Sequence, residues 1–154
     1  MTELSDLYND RIMAFAAAIP PSRHLDTPDA KASAHSKLCG STIAVELKLE
    51  GDRVVDYAHT VKACLLGQAA ASIVATQIIG STEREIRKAA EEMRAMLKEN
   101  GPAPTGKWAD LGVLEPVREV KGRHASTLLA FEAVLRAFEG LNASRTAEAT
   151  AAQA

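Results

Sequence analysis

The chain is short of cysteine, of net charge and of long apolar runs, and each shortage narrows its reading. Only two cysteines, Cys39 and Cys64, occur in 154 residues, and no CxxC pair is present. Dithiol redox motifs and single-chain four-cysteine metal sites are therefore excluded. The net charge is −2 and the pI about 6.1, so there is no basic excess of the kind that nucleic acid or an anionic membrane recruits. No segment approaches the roughly 20 apolar residues needed to cross a bilayer. The stretch IMAFAAAI follows Glu3, Asp6 and Asp10, whereas a secretory signal has a basic start, so no signal peptide is expected and the cytoplasm is the default compartment. In a reducing compartment two cysteines are expected as thiols rather than as a structural disulfide. No glycine-rich phosphate loop is present.

What the sequence does contain is a set of sharp periodicities. Leu4, Tyr8, Ile12, Phe15 and Ile19 recur at helical spacing, which predicts an amphipathic helix over residues 3–19, stopped by Pro20-Pro21. Residues 20–38 read as an extended surface loop with room for a short strand before Cys39. Ile43, Val45, Leu47 and Leu49 then alternate with polar or small residues, as a half-buried strand requires. Gly51-Asp52 can turn the chain, and Val55, Tyr57, His59 and Val61 continue the alternation on a return strand over residues 53–63.

From Cys64 to Gly80 the chain is apolar on nearly every side, the pattern of a central buried helix. Thr82 and Glu85 have capping-box spacing. They open a helix whose inner face carries Ile86, Ala89, Met93, Met96 and Leu97 and which ends at Asn100-Gly101-Pro102. Trp108 to Val117 reads as a short apolar turn or helix closed by Pro116, and residues 119–126 as a polar loop. A last helix is predicted over residues 126–139, terminated by Gly140, with a flexible tail over residues 141–154. The fold class is α+β: a small antiparallel sheet of two to three strands packed against several helices, in a single domain over residues 1–140.

Three places can carry chemistry. Cys39-Gly40-Ser41 forms a turn entering a strand, and the glycine permits close approach of a ligand. Cys64 sits where a strand runs into a helix; the helix N-terminus and the nearby Lys62 both favour a thiolate, the reactive and metal-binding form. Arg123-His124 precedes the last helix. Cys39 lies just before the outgoing strand of a hairpin and Cys64 just after the returning one, so both thiols are expected at the same end of the sheet. Against this, a free cysteine is among the most buried residue types and commonly serves as a small apolar group. A lone histidine such as His124 is ordinarily a solvated loop residue; His59 can fill the inner face of the sheet, and His35 can sit in a loop.

The stretches LYNDRI, LCGSTIAVELKLEGDRVVDYAH, VKACLLGQAAASIVATQIIG, ADLGVLEPV and ASTLLAFEAV, taken in order over most of residues 7–138, resemble the U-type iron-sulfur cluster assembly scaffolds. This is the IscU, SufU and NifU N-terminal family, and the length of residues 81–117 is more like its SufU branch. The resemblance implies a SufE/NifU-like α+β fold with three cysteine positions converging at one exposed end. It implies sulfur delivered by a cysteine desulfurase, a labile cluster (a [2Fe-2S] cluster), iron or zinc on those positions, and transfer to apo iron-sulfur proteins. It does not imply an enzyme, a nucleic-acid partner or a membrane partner, and a homo-oligomer is compatible with it.

Cys39 and Cys64 match the first two family cysteines. The third position is Ala125, and Ser41 replaces the aspartate after the first cysteine. His124 falls where one branch has a histidine beside its third cysteine. The ligand set so implied is Cys39, Cys64, His124 and, weakly, Ser41. Two rival readings stand beside it: a degenerate member acting as sulfur acceptor or adaptor, and a thiol enzyme using Cys64 with His124 or His59 as base.

Overall fold

The computed structural model describes residues 9–38 and 40–153, with side chains to residue 148. Residues 1–8, where the predicted first helix begins, lie outside the described residues, as does Cys39. Helix α1 spans Asp10–Ala17, and the side chain of Asn9 caps it by accepting from Ile12 N at 3.0 Å. Its end falls before Pro20, because a residue preceding proline is pushed out of the helical region.

Three strands form one antiparallel meander, β1 (Ala30–His35), β2 (Thr42–Glu50) and β3 (Arg53–Lys62). The β2–β3 hairpin follows the alternation in the sequence. Ile43 faces Val61, Val45 faces His59 and Leu47 faces Tyr57, so the inward residues share one face. Gly51 turns the hairpin at φ +64°, a conformation that favours glycine. The expected short strand before Cys39 is β1, an edge strand of the sheet. Its inward residues Ala30, Ala32 and Ala34 oppose Leu47, Val45 and Ile43. Alanines there let the last helix lie close over the edge strand, and Arg136 donates to Ser33 O at 3.3 Å.

Residues 18–29 run as a strap held by polar residues of the sheet. Arg23 pairs with Asp56 at 2.6 Å, and both oxygens of Glu46 are used, by His24 at 2.5 Å and by Leu25 N at 3.0 Å. The His24 contact, then the Leu25 amide, holds the Glu46 carboxyl below the ordinary carboxylate range. The Arg23 guanidinium does the same for Asp56.

Helix α2 (Leu65–Gln77) is the buried centre, packed on α1, on β3 and on the two later helical layers. Gly80 (φ +87°) lets the chain double back, and Gly80 N and Ser81 O bond to Val54, which ties the end of α2 to the hairpin. Helix α3 (Glu83–Lys98) begins at Thr82, whose hydroxyl accepts from Glu85 N at 3.2 Å. The expected inner face, Ile86, Ala89, Met93, Met96 and Leu97, is buried. The helix ends where Asn100 adopts φ +53°.

Two elements differ from expectation. The expected short turn is a 3₁₀ segment over Gly106–Glu119, with Pro116 inside it rather than closing it. Trp108, Leu111, Leu114 and Val117 are buried at a spacing of three, which matches three residues per 3₁₀ turn. Trp108 packs on Phe131 with ring centroids 5.6 Å apart.

Helix α4 spans His124–Gln153, starting two residues earlier than expected and running through Gly140. A mid-helix glycine costs about 1 kcal/mol. Glycine stops a helix when it turns left-handed, and Gly140 is not among the positive-φ glycines. Beyond it, Leu141 packs on the core and Asn142 donates to the Glu83 carboxylate at 3.1 Å, so the next turn has partners.

Candidate metal and cluster site at the Cys64 end of the sheet

Strand β3 ends at Lys62, and two residues later Cys64 is the N-cap of α2 with φ −65° and ψ 171°. Its carbonyl accepts from Gln68 N at 2.9 Å, and Gln68 Nε2 donates to Ala63 O at 2.8 Å, so the strand-to-helix junction is pinned from both sides. The side chain makes no cap hydrogen bond to the helix; it is half-buried and a free thiol. Its Sγ lies 3.5 Å from Ser126 Oγ, in the first turn of α4. The sequence places these two residues 62 apart; the packing of α2 on α4 brings them together.

Gly67 makes that packing close. A Cβ there would stand 2.9 Å from Ala63 Cβ and 3.2 Å from Ser126 O. Sequence reasoning passed over both Gly67 and Ser126. A glycine in the first turn of an otherwise alanine-rich helix is the signal that could have pointed to the first of them.

His124 is not a solvated loop residue. It is buried at the start of α4, and its Nε2 lies 3.1 Å from Val117 O and 3.2 Å from Arg118 O. Carbonyl oxygens only accept, so Nε2 carries a proton, and in the neutral ring the lone pair is on Nδ1. A metal-binding imidazole is commonly held this way, with its other nitrogen donating to backbone. Ala125, where the resemblance expects a third ligand, is exposed between His124 and Ser126.

The turn joining β1 to β2 lies at this same end, since Thr42 pairs with Lys62. Ser36 N donates to Ser41 O at 2.8 Å, Gly40 N donates to Ser36 O at 2.9 Å, and Gly40 takes φ +70°. Ser41 is buried, and Leu38 is 78 % exposed. Cys39, the first expected ligand, lies outside the described residues. Among the described residues no three His, Cys, Asp or Glu side chains gather as a metal site.

Of the other histidines, His35 lies at this same end of the sheet, opposite Thr42. His35 is on β1 rather than in a loop, with Nδ1 3.1 Å from Thr42 Oγ1. His59 is buried on the inner face of β3, as anticipated, and its Nε2 lies 2.9 Å from Pro20 O. With Tyr57 it lines a cavity of about 220 Å³ under Pro20 and Pro21. Burial pushes the Tyr57 phenol well above its ordinary value.

No family model matches the sequence, and no curated protein does. Solved structures do. A nitrogen-fixing NifU-like protein (N-terminal) from Brucella abortus is 51% identical, with a TM-score of 0.88 over 90% of this chain and 96% of that one. A putative iron-sulfur cluster assembly scaffold protein for the SUF system from Fervidobacterium islandicum AW-1 is 18% identical, with a TM-score of 0.80 over 88% and 98%. A hypothetical protein solved at 2.3 Å is 20% identical, with a TM-score of 0.77 over 88% and 99%. The last two share the fold.

Proposed function

Since the chain belongs to the NifU-like N-terminal family of U-type iron-sulfur scaffolds, we propose that it holds an iron-sulfur cluster, iron or zinc at the Cys64 end of its sheet and passes clusters to apo proteins. The observation that carries this reading is the placement of a half-buried thiol, Cys64, against the first turn of α4, where the resemblance would put a third ligand. Cys64 and Cys39 would supply the thiolates, and His124 an imidazole through Nδ1. Ser41 would be a weak substitute for a carboxylate. Cluster iron is ordinarily held by four thiolates, and replacing thiolate by imidazole raises the potential. A set of two thiolates and one imidazole would therefore hold its cargo loosely and release it readily. Sulfur would arrive from a cysteine desulfurase, and docking at this end would meet the exposed Leu38. The chain would act in the cytoplasm, as a carrier rather than an enzyme.

A second reading is favoured by one specific residue, Ala125. Without the third sulfur the chain would serve as a sulfur acceptor or adaptor and assemble nothing. The thiol-enzyme reading has less support, because the partner of Cys64 is Ser126 rather than a histidine, and His59 turns its Nε2 toward Pro20. The test is anaerobic addition of iron and sulfide, followed by absorption spectra and metal analysis. The scaffold reading expects visible charge-transfer bands that are lost in Cys64→Ser and weakened in His124→Ala. No chromophore in the parent chain, with sulfur still accepted from a desulfurase, would favour the adaptor.

A further inference from the structure

Ser126 is buried, contacts the Cys64 sulfur, and has a second hydrogen-bond partner. Its Oγ lies 3.2 Å from Arg123 O, and that same carbonyl accepts from Thr127 Oγ1 at 2.6 Å. A serine hydroxyl has one proton and two lone pairs, and a carbonyl oxygen has two acceptor sites. In the free chain the Ser126 proton goes to Arg123 O, and a Ser126 lone pair receives the Cys64 S–H. When Cys64 binds a metal as thiolate, it has no proton to give and needs a donor. Rotation about the Ser126 Cβ–Oγ bond turns the hydroxyl proton from Arg123 O to Sγ. The cost is small because Arg123 O keeps the shorter Thr127 bond and is not left orphaned.

We propose that Ser126 is a positioning residue for Cys64, accepting from its thiol in the free chain and donating to its sulfur in the loaded one, with Thr127 freeing the hydroxyl to switch. The loaded half rests on the metal-binding reading above; the free half does not. No bond to sulfur forms or breaks in the switch, and the Ser126 proton changes only its acceptor. Hydrogen bonds to ligating sulfur tune both potential and lability. The switch would thus set how firmly Cys64 holds its cargo without adding a ligand.

Two spectroscopic readouts test the two halves on the full-length chain. In the metal-free protein the Cys64 S–H stretch, identified by its loss in Cys64→Ala, is expected to move to higher frequency in Ser126→Ala, as a lost hydrogen bond requires. An unmoved stretch would overturn the proposal. With cobalt(II) as the metal probe under anaerobic conditions, the sulfur-to-cobalt band is expected to move to lower energy in Ser126→Ala. Thr127→Val should shift it in the same direction, because the Ser126 proton is then retained by Arg123 O. A band that moves in neither variant would overturn the donor half. A change in the intensity of the ligand-field bands in Ser126→Ala would mean that Ser126 is itself a ligand and would overturn the positioning role. No cobalt binding by the parent chain would refute the functional reading and the donor half with it, whereas the S–H stretch would still decide the acceptor half.

Discussion

Gly67→Ala sets two effects of known size against each other. Replacing glycine by alanine inside a helix ordinarily stabilises by about 1 kcal/mol. Here the new methyl would stand 2.9 Å from Ala63 Cβ and 3.2 Å from Ser126 O. Carbon–carbon contacts are comfortable at about 3.5–4.0 Å, so something must yield by roughly 0.5–1 Å. Neither neighbour is the tip of a flexible side chain: one is the Cβ of an alanine and the other a backbone carbonyl. Overpacking of this kind costs about 1–3 kcal/mol. The net expectation is destabilisation by up to about 2 kcal/mol, a fall in melting temperature of up to about 8 °C for a chain of this size. The relief available is for the start of α4 to back away from α2, which lengthens the Cys64–Ser126 contact and loosens the site. Gly140→Ala is the control. It is also in a helix, meets nothing within 4 Å of its new Cβ, and is expected to stabilise by up to about 1 kcal/mol. Calorimetric melts of both variants, with zinc retention against a chelator, make the comparison. A Gly67→Ala variant as stable as Gly140→Ala, with unchanged zinc retention, would refute the close-approach argument.

Ala125→Cys is expected to tighten zinc retention in chelator competition without disturbing the fold, since residue 125 is exposed; unchanged retention would place residue 125 away from the metal. Adding Ser41→Asp puts a carboxylate at a buried position, so the double variant should melt lower than Ala125→Cys without metal and recover when zinc is added. Glu46 is ionised more readily in the folded chain than at the ordinary value of 4.5, chiefly through His24 and then the Leu25 amide. Its contribution is fully present above the ordinary value and is lost as the pH falls through the lowered one. Glu46→Gln should therefore be less stable than the parent at neutral pH, and the gap should close in acid; a constant gap across an acid titration would contradict this. Thr82→Ala removes the N-cap of α3 and should cost about 1 kcal/mol, while Thr82→Ser keeps the capping oxygen and should be close to neutral. Chemical denaturation of the three proteins measures the difference.

Local periodicity was enough to read the β2–β3 hairpin, the buried course of α2 and the inner face of α3. Alternation and helical spacing are set by which residues must leave water, and the sequence carries that directly. The 3₁₀ segment was legible only as a short turn or helix closed by Pro116; its spacing of three from Trp108 to Val117 emerged with the burial pattern. Strand β1 was half legible, because its inward alanines carry little hydrophobic signal of their own. They are small because α4 lies over them, and that is a tertiary fact. The same holds at the site. The sequence alone identified Cys64 at a strand-to-helix junction and placed the Cys39 turn beside it through the hairpin, and Thr42 pairing with Lys62 puts that turn's strand end there. The partner of Cys64 could not be read that way. Ser126 meets the thiol because Gly67 lets two helices approach, His124 is buried because Val117 and Arg118 hold its ring, and α4 passes Gly140 because Leu141 and Asn142 find partners. The Cys64–Ser126 and Asn142–Glu83 contacts join residues far apart in the chain, and only packing decides which distant groups come within a few ångströms of one another.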